Sequence, residues 1–206
     1  MLDFILLIIA YFLGSIPTAV WIGKRFYELD VREHGSGNAG ATNTFRVLGT
    51  KAGIIVLLID VSKGFLAVSL LGLSGGELSL FVDKTLFQIL LGTMAVIGHI
   101  LPLFAQFKGG KGIATLLGVT LGILPGPTGV LLLVFLLVFI STRYVSLASI
   151  IAAMCYPFIL IFLFKTNSTI LVSYACFITI IVFVTHRNNV KRLIKGEENR
   201  MSFQRK

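Results

Sequence analysis

The chain has 206 residues, of which 56% are hydrophobic and 13% are charged, and its mean hydropathy is +0.94. A soluble domain of this size cannot bury so many apolar side chains, and most of the apolar runs lack a polar face, which excludes a soluble fold. The net charge of +9 does not indicate a nucleic-acid partner, because the basic residues are scattered between the apolar runs.

The first apolar run covers residues 2–22. At about 1.5 Å per residue, it is long enough to cross a hydrocarbon core of roughly 30 Å. Because the run lacks a basic segment before it, we expect a retained span rather than a cleaved signal peptide. The sequence Gly-Ser-Ile-Pro at residues 14–17 predicts a kink in this span.

The apolar run 113–140 is too long for one ordinary span, and Pro125-Gly126-Pro127 interrupts it. It predicts two short segments, 113–124 and 128–140. Each is shorter than the roughly 17 to 25 residues of a full crossing. A re-entrant hairpin over the same residues is the alternative, since broken spans are tolerated where they line a protected polar cavity.

The charge pattern supports seven crossings. Counted from an N-terminus outside the cell, they place most basic residues on one side and only Lys84 and Lys165 on the other. This positive-inside pattern predicts that the larger polar stretches and the C-terminus are cytoplasmic. The predicted spans are residues 2–22, 52–73, 85–104, 113–124, 128–140, 144–164 and 168–185. The cytoplasmic basic residues are Lys24, Arg25, Arg32, Arg46, Lys51, Lys108, Lys111, Arg143 and those of the tail, 186–206.

The most polar stretch, residues 34–46, lies within the first predicted loop, 23–51. Its glycines let backbone N–H groups turn toward a ligand, and its short hydroxyl and amide side chains can fix an orientation. Arg46 adds a planar cation suited to phosphate. The stretch therefore predicts a phosphate-binding loop at a membrane face. Its candidate ligand residues are Gly35, Ser36, Gly37, Asn38, Gly40, Thr42, Asn43 and Arg46.

A second loop of glycine and lysine precedes the apolar segment that begins at Ile113. Helix N-termini present N–H groups and a partial positive charge, so an adjacent lysine makes an anion site. The loop lacks the order of a Walker A motif, and nucleotide hydrolysis is not implied. Its candidate residues are Lys108, Gly109, Gly110, Lys111 and Gly112.

Two charged residues, Asp60 and Lys63, lie inside the second predicted span. A charge there costs roughly 2.5 to 3.5 kcal/mol on insertion scales, so such residues pair or face a polar cavity. Three residues apart on a helix, these two can pair. We predict a structural ion pair, with direct ligand contact as the alternative. No role is predicted for four other side chains, His34, His99, Cys155 and Cys176.

Arg143 lies at the corner between two predicted spans, and His186 and Asn189 lie at the end of the last one. The predicted topology puts them on the same side as Arg46 and Lys111, so we expect one site for phosphate-bearing substrates there. The sequence shows no His-x-x-x-x-Asp dyad, no evident nucleophile arrangement and no metal-ligand cluster. Covalent catalysis, a metal and any other cofactor are therefore not predicted.

Four ordered motifs resemble those of the bacterial acyl-phosphate:glycerol-3-phosphate acyltransferases, the PlsY type. The resemblance extends over residues 14–197, and the seven spans and outside N-terminus of that family agree with the charge count. It identifies the chain as one all-α integral membrane domain, residues 1–206, with seven transmembrane helices, two of them short. The motifs are residues 36–43 with Arg46, 108–115, 142–146 and 186–193.

The resemblance implies transfer of a fatty acyl group from acyl phosphate to the 1-hydroxyl of sn-glycerol 3-phosphate, which gives 1-acylglycerol 3-phosphate and inorganic phosphate. It implies phosphate binding by Ser36 and Arg46 and anion binding by Lys111 with its glycines. It also implies that the substrate's own phosphate can serve as the base, in a bacterial inner membrane with the site on the cytoplasmic face. The residues that would position the acceptor are Thr142, Arg143, His186 and Asn189.

Two rival interpretations belong to other classes. A carrier for a phosphorylated solute would also contain broken helices and buried charges, but it predicts polar ligands on both sides and symmetry between halves. A structural membrane subunit would leave the glycine loops unexplained. The expected partners are therefore the two substrates and the lipid bilayer, with no nucleic acid and no obligate protein partner.

Overall fold

The structure, a computed structural model, describes residues 2–74 and 83–201, which form helices and turns without a β-strand. Helix formation follows from the long apolar runs, since a helix satisfies every backbone hydrogen bond within its own segment. The helices are α1 (Leu2–Ser15), α2 (Thr18–Phe26), α3 (Ala41–Leu48), α4 (Thr50–Ser69), α5 (Lys84–Ile100), α6 (Ile113–Ile123), α7 (Pro125–Thr142), α8 (Val145–Phe158), α9 (Thr169–Thr185) and α10 (Arg187–Ile194).

Four helical segments are long and apolar enough to cross a membrane, and the number rises to six if each of two bent pairs is one span. The bent pairs are α1 with α2 and α9 with α10. Large apolar side chains such as Leu58, Leu137 and Phe162 remain exposed on the helices. Such an apolar surface is what a lipid environment requires. The four single segments are Thr50–Ser74, Lys84–Ala105, Pro125–Thr142 and Val145–Leu163.

The predicted kink in the first span is confirmed. Helix α1 ends at Ser15, α2 begins at Thr18, and the two helices meet at 41°. Pro17 lacks an N–H and restricts the residue before it, so the helix cannot run straight through this point. At this break the carbonyl of Ile16 accepts the N–H of Thr18 at 3.0 Å.

The prediction of two short segments over residues 113–140 is half right. Helix α6 has 11 residues, as expected for a short segment, but α7 has 18 and is long enough to cross. The prediction for α7 was wrong because it treated Pro125 and Pro127 as a break. Proline is well tolerated in the first turn of a helix, where its missing N–H has no partner to lose.

Contacts divide the described residues into two compact units, of which the first ends at Ile123 and the second begins at Leu124. In the first unit, α4 packs along α6 and α1 packs along α5. A methyl group at Gly118 of α6 would overlap the carbonyl oxygen of Val61 on α4, so these two helices are in backbone contact there. Glycine permits this close approach between membrane helices.

In the second unit, α8 packs against both α7 and α9. Pro157 lies inside α8, and the chain continues after Phe158 as a π-helical turn, Ile159–Leu163. A proline within a helix removes one backbone hydrogen bond, which explains the change of helical register at this point. After α10 the chain does not leave the unit, because the N–H of Met201 donates to the carbonyl of Arg143 at 2.8 Å.

Candidate functional site

The first glycine loop is held by a side chain that lies on the helix following it. Asn43, on α3, is 1% exposed, and its Oδ1 accepts from the Ser36 N–H at 2.8 Å and from the Ser36 hydroxyl at 3.1 Å. Its Nδ2 donates to the carbonyls of Val31 at 2.7 Å and His34 at 3.0 Å. All the groups of this amide therefore bond to the protein, and Asn43 shapes the loop from beneath.

The backbone of the same loop uses conformations that favour glycine. Gly35 and Gly37 have φ values of +62° and +71°, in the left-handed region. Ser36, between them, is exposed, while Arg46 is half-buried on the last turn of α3. The N–H groups of Ser36 and Gly37 donate to Asn43 Oδ1 and to the His34 carbonyl, so these bonds hold the turn while the Ser36 side chain stays exposed.

An ion pair just before the first glycine loop contacts the short turn that precedes the second. The guanidinium of Arg32 donates to both oxygens of Asp30, at 2.9 and 2.6 Å, and its Nη1 donates to the carbonyl of Ala105 at 3.0 Å. Hydrogen bonds from Arg32, opposed by partial burial, hold the pKa of the Asp30 carboxyl well below its usual range. This link could not be predicted from the sequence, because its two ends are 73 residues apart.

The second glycine loop ends where α6 begins. Gly112 has φ +84°, its carbonyl accepts the Leu116 N–H at 2.7 Å, and Ile113 is the first residue of α6. Lys108 is exposed and Lys111 half-buried. The structure confirms that this loop lies at a helix N-terminus. The amide groups there favour an anion.

Behind the two loops, a polar cluster is buried among α2, α4 and α5. The ammonium of Lys63 lies 2.9 Å from Asp60 Oδ1 and donates to the Ile16 carbonyl at 3.1 Å. The hydroxyl of Thr18 donates to the same Asp60 oxygen at 3.1 Å. Asp60 and Lys63 have side chains only 1% and 4% exposed. Because burying an unpaired charge is costly, each of these two residues requires the other.

In the second unit, the residues Thr142 and Arg143 form the end of α7. The hydroxyl of Thr142 donates to the Val138 carbonyl at 2.7 Å and accepts the Tyr144 N–H at 3.2 Å. Arg143 has φ +62°, an unusual conformation for a residue with a side chain. Such strained positions are enriched at ligand sites, where the surrounding structure holds them in place.

His186 lies at the junction of α9 and α10 and is 3% exposed. Its Nδ1 is 2.9 Å from the carbonyl oxygen of Val182. A carbonyl can only accept, so Nδ1 is the donor in this hydrogen bond. Asn189, one helical turn later on α10, is 5% exposed.

A buried carboxylate organises this end of the second unit, and the sequence analysis did not identify it. Glu198 is 8% exposed; its Oε1 accepts from Asn189 Nδ2 at 2.6 Å and from the Ser146 hydroxyl at 2.8 Å. Its Oε2 accepts from Arg192 Nε at 2.7 Å. Burial by itself raises the pKa of Glu198, but these hydrogen bonds outweigh it and lower the pKa overall. The sequence did contain a sign of this role, because Glu197 and Glu198 are the only acidic residues in the basic tail.

The structure thus distributes the predicted site residues over both units. The first unit brings Ser36 and Asn43 together, and Arg32, just before their loop, bonds to Ala105, three residues before the second glycine loop. In the second unit, one segment of the tail contacts two predicted site residues. Glu198 accepts from Asn189, and the N–H of Met201 donates to the Arg143 carbonyl. Among the described residues, no group of three or more His, Cys, Asp or Glu side chains could hold a metal ion.

Comparisons with known proteins agree on one family. The sequence profile of the family described as Glycerol-3-phosphate acyltransferase matches residues 4–196. A glycerol-3-phosphate acyltransferase of Fusobacterium nucleatum subsp. nucleatum is 43% identical, over 97% of this chain and 98% of its own. The enzyme of that name from Enterococcus faecalis is 44% identical, over 97% of this chain and 92% of its own.

Two solved structures have the same fold. Both are crystal structures of PlsY, described as an integral membrane glycerol 3-phosphate acyltransferase, and each is 35% identical in sequence to this chain. The glycerol 3-phosphate form gives a TM-score of 0.86 over 98% of this chain and 96% of that one. The lysophosphatidic acid form gives 0.83 over 98% and 97%.

Proposed function

The chain belongs to the glycerol-3-phosphate acyltransferase family, and from this premise we propose that it acylates the 1-hydroxyl of sn-glycerol 3-phosphate. The product is 1-acyl-sn-glycerol 3-phosphate, a lysophosphatidic acid. The observation that carries the proposal is the likeness, over nearly the whole chain, to a solved enzyme whose two forms are named for this acceptor and this class of product.

The proposed donor is an acyl phosphate. Two substrates that each bear a phosphate need two anion sites, and the first unit carries two glycine loops with a cation near each, Arg46 and Lys111. Glycine loops with backbone N–H groups and a nearby cation are suited to phosphate. A donor without phosphate would leave one of the two loops without a substrate.

In the proposed step, the hydroxyl oxygen of glycerol 3-phosphate attacks the carbonyl carbon of the acyl phosphate. A new ester C–O bond forms, the C–O bond to phosphate breaks, and the departing phosphate takes the hydroxyl proton. The donor is already activated, so the enzyme chiefly aligns the reacting atoms about 3 to 3.5 Å apart and stabilises negative charge. No enzyme nucleophile is required.

The proposed roles follow the two units. Ser36 and Arg46 bind a phosphate, Lys111 and its glycines bind an anion, and Asn43 shapes the first loop. In the second unit, Arg143, His186 and Asn189 position the acceptor. Thr142 supports Arg143 by capping the turn at the end of α7, and Asp60 with Lys63 acts as a structural pair. The other proposed binding residues are Gly35, Gly37, Asn38, Gly40, Thr42, Lys108, Gly109, Gly110 and Gly112.

We further propose a topology of seven spans with the N-terminus outside and the C-terminus in the cytoplasm of a bacterium. That count needs α6, the bent pair of α1 and α2, and α9 to cross the inner membrane in addition to the four single segments, with α10 in the cytoplasm. The charge distribution supports it, because it leaves only Lys84 and Lys165 outside. In this proposal the whole chain acts as one membrane domain, with both glycine loops on the cytoplasmic face.

The test is release of inorganic phosphate by the purified protein when it is given palmitoyl phosphate and glycerol 3-phosphate. Release should require both substrates and should fall by about 100-fold or more in the Arg46→Ala and His186→Ala variants. Lys51→Ala is the matched control, because it removes an exposed positive charge five residues from Arg46. This control should keep wild-type activity.

Two results would overturn the proposal. The first is phosphate release that does not depend on glycerol 3-phosphate, which would indicate hydrolysis rather than transfer. The second is a folded wild-type protein that binds glycerol 3-phosphate without releasing phosphate. That second outcome would favour the carrier interpretation.

A further inference from the structure

His99, for which the sequence predicted no role, lies directly behind the second glycine loop. It is on the last turn of α5 and is 6% exposed. Its backbone carbonyl accepts the N–H of Gly110 at 3.1 Å. A buried imidazole in this position contacts the loop through both its backbone and its side chain.

Gly110 is packed against the imidazole of His99. A methyl group at Gly110 would overlap Nε2 of His99 and lie 3.0 Å from both neighbouring ring carbons. Gly110 does not have a left-handed φ, so its backbone conformation is open to alanine. The glycine at this position is therefore required by the side chain of His99 and not by the turn itself.

Gly109 is packed against a different part of the same residue. A methyl group there would overlap the backbone carbonyl oxygen of His99 and approach Pro102 Cδ at 2.6 Å and the Ile100 carbonyl oxygen at 2.7 Å. These obstacles are backbone atoms and a proline ring, which cannot rotate away. Removal of the imidazole would therefore make room for a methyl group at Gly110 but not at Gly109.

The opposite edge of the imidazole faces the buried ion pair. His99 Nδ1 lies 3.8 Å from Asp60 Oδ1, the oxygen that is paired with Lys63. The ring is therefore packed between the Asp60 carboxylate, which is too far for a direct hydrogen bond, and Gly110. A rigid support of this kind fixes the position of a binding loop.

We propose that His99 is a positioning residue: its imidazole, packed between Asp60 and Gly110, sets the position of the Lys108–Gly112 loop and so of the phosphate that the loop binds. This inference rests on the proposed function for the identity of the ligand. It assigns to Gly110 a packing role against His99 and does not require His99 to touch substrate.

The test compares the effect of Gly110→Ala in the wild-type background and in the His99→Ala background. The readouts are kcat and the KM of each substrate, palmitoyl phosphate and glycerol 3-phosphate, per folded protein. In the wild-type background we expect Gly110→Ala to raise one KM by roughly 10-fold to 100-fold, as displaced binding groups do. In the His99→Ala background the same substitution should change that KM less than about twofold, because the clash is gone.

Gly109→Ala provides the matched control, because its obstacles are unaffected by the His99 side chain. Its effect should be equally large in both backgrounds. His99→Gln, which keeps a polar side chain of similar length, should retain more activity than His99→Ala. If the variants lose too much activity for their KM values to be measured, the thermal unfolding midpoints of the same variants are compared in the two backgrounds instead. Gly110→Ala should then lower the unfolding midpoint only when His99 is present.

Equal effects of Gly110→Ala in both backgrounds would overturn the inference, and so would rescue of Gly109→Ala by His99→Ala. These failures are distinct from failure of the proposed function, in which the wild-type protein itself would transfer no acyl group.

Discussion

At the scale of single residues, the buried polar side chains beneath the loops determine the site more than the exposed ones do. Asn43 forms four hydrogen bonds to three other residues, and Glu198 accepts three. Both side chains are buried, so their own polar atoms have no water to replace a lost bond. Each side chain therefore has a measurable effect on stability as well as on activity.

We predict that Asn43→Ala lowers the free energy of unfolding by about 1–3 kcal/mol, since buried polar groups lose their partners. Asn43→Asp should be at least as harmful, because an oxygen would replace the nitrogen that donates to the Val31 and His34 carbonyls. Thermal unfolding in detergent measures both. Asn38→Ala, at a half-buried amide of the same loop, is the control and should stay near wild type. An Asn43→Asp protein as stable as wild type would contradict the hydrogen-bond assignment.

The hydrogen bonds of the Glu198 carboxylate predict that the stability of the protein depends on pH. Its pKa is lower in the folded protein than in the unfolded chain, so the ionised carboxylate contributes stability that is fully present above the unfolded pKa. That contribution is lost as the pH falls through the folded pKa. The unfolding midpoint should therefore decline below about pH 4.5, near the ordinary pKa of a glutamate. The Glu198→Gln variant should have a lower unfolding midpoint at neutral pH, and that midpoint should fall less on acidification.

The control for this experiment is Glu197→Gln, which removes the same charge from an exposed neighbour. It should retain the wild-type dependence on pH. If Glu197→Gln and Glu198→Gln flattened the pH profile equally, the Glu198 network would not be its cause.

At the scale of helices, the break between α1 and α2 and the charges on α4 form one structural feature. At the break the Ile16 carbonyl accepts the Thr18 N–H at 3.0 Å and also the ammonium of Lys63, which pairs with Asp60. A broken helix in a membrane needs such partners within the protein, because lipid offers none. The charges in α4 therefore have a structural purpose that does not depend on contact with substrate.

We predict that Lys63→Met destabilises the protein by about 3–5 kcal/mol, because it leaves the Asp60 carboxylate buried and unpaired. The double variant Asp60→Leu with Lys63→Met should recover much of that loss, since it removes both charges. The unfolding midpoints of the three proteins in detergent provide the comparison. A double variant less stable than Lys63→Met alone would show that the pair is not the source of the effect.

At the scale of the whole molecule, the arrangement of helices across the membrane remains a prediction that labelling can test. In a variant whose two native cysteines are replaced by alanine, Lys165→Cys should react with a membrane-impermeant maleimide added to intact cells. Lys195→Cys should react only after the membrane is opened, because the positive-inside pattern places it in the cytoplasm. Labelling of both positions in intact cells would contradict seven crossings from an outside N-terminus.

The class of the protein, the positions of most helices and the two glycine loops could be predicted from the amino-acid sequence. These features follow from local properties: apolar runs of spanning length, a proline that breaks α1 from α2, and glycines before Ile113. The family could also be identified, because its motifs are short and contiguous in the chain. The beginning of α7 was misplaced because proline has opposite effects in the first turn of a helix and in its interior.

Only the tertiary structure decided which side chains support those loops. The contacts of Asn43 with Val31, of Arg32 with Ala105, and of Glu198 with Ser146 join residues 12, 73 and 52 positions apart. The packing of His99 against Gly110 belongs to the same class. No local pattern encodes such contacts, since they depend on which helix faces which after folding. For this reason the loops could be predicted from the sequence, whereas the buried residues that hold them could not.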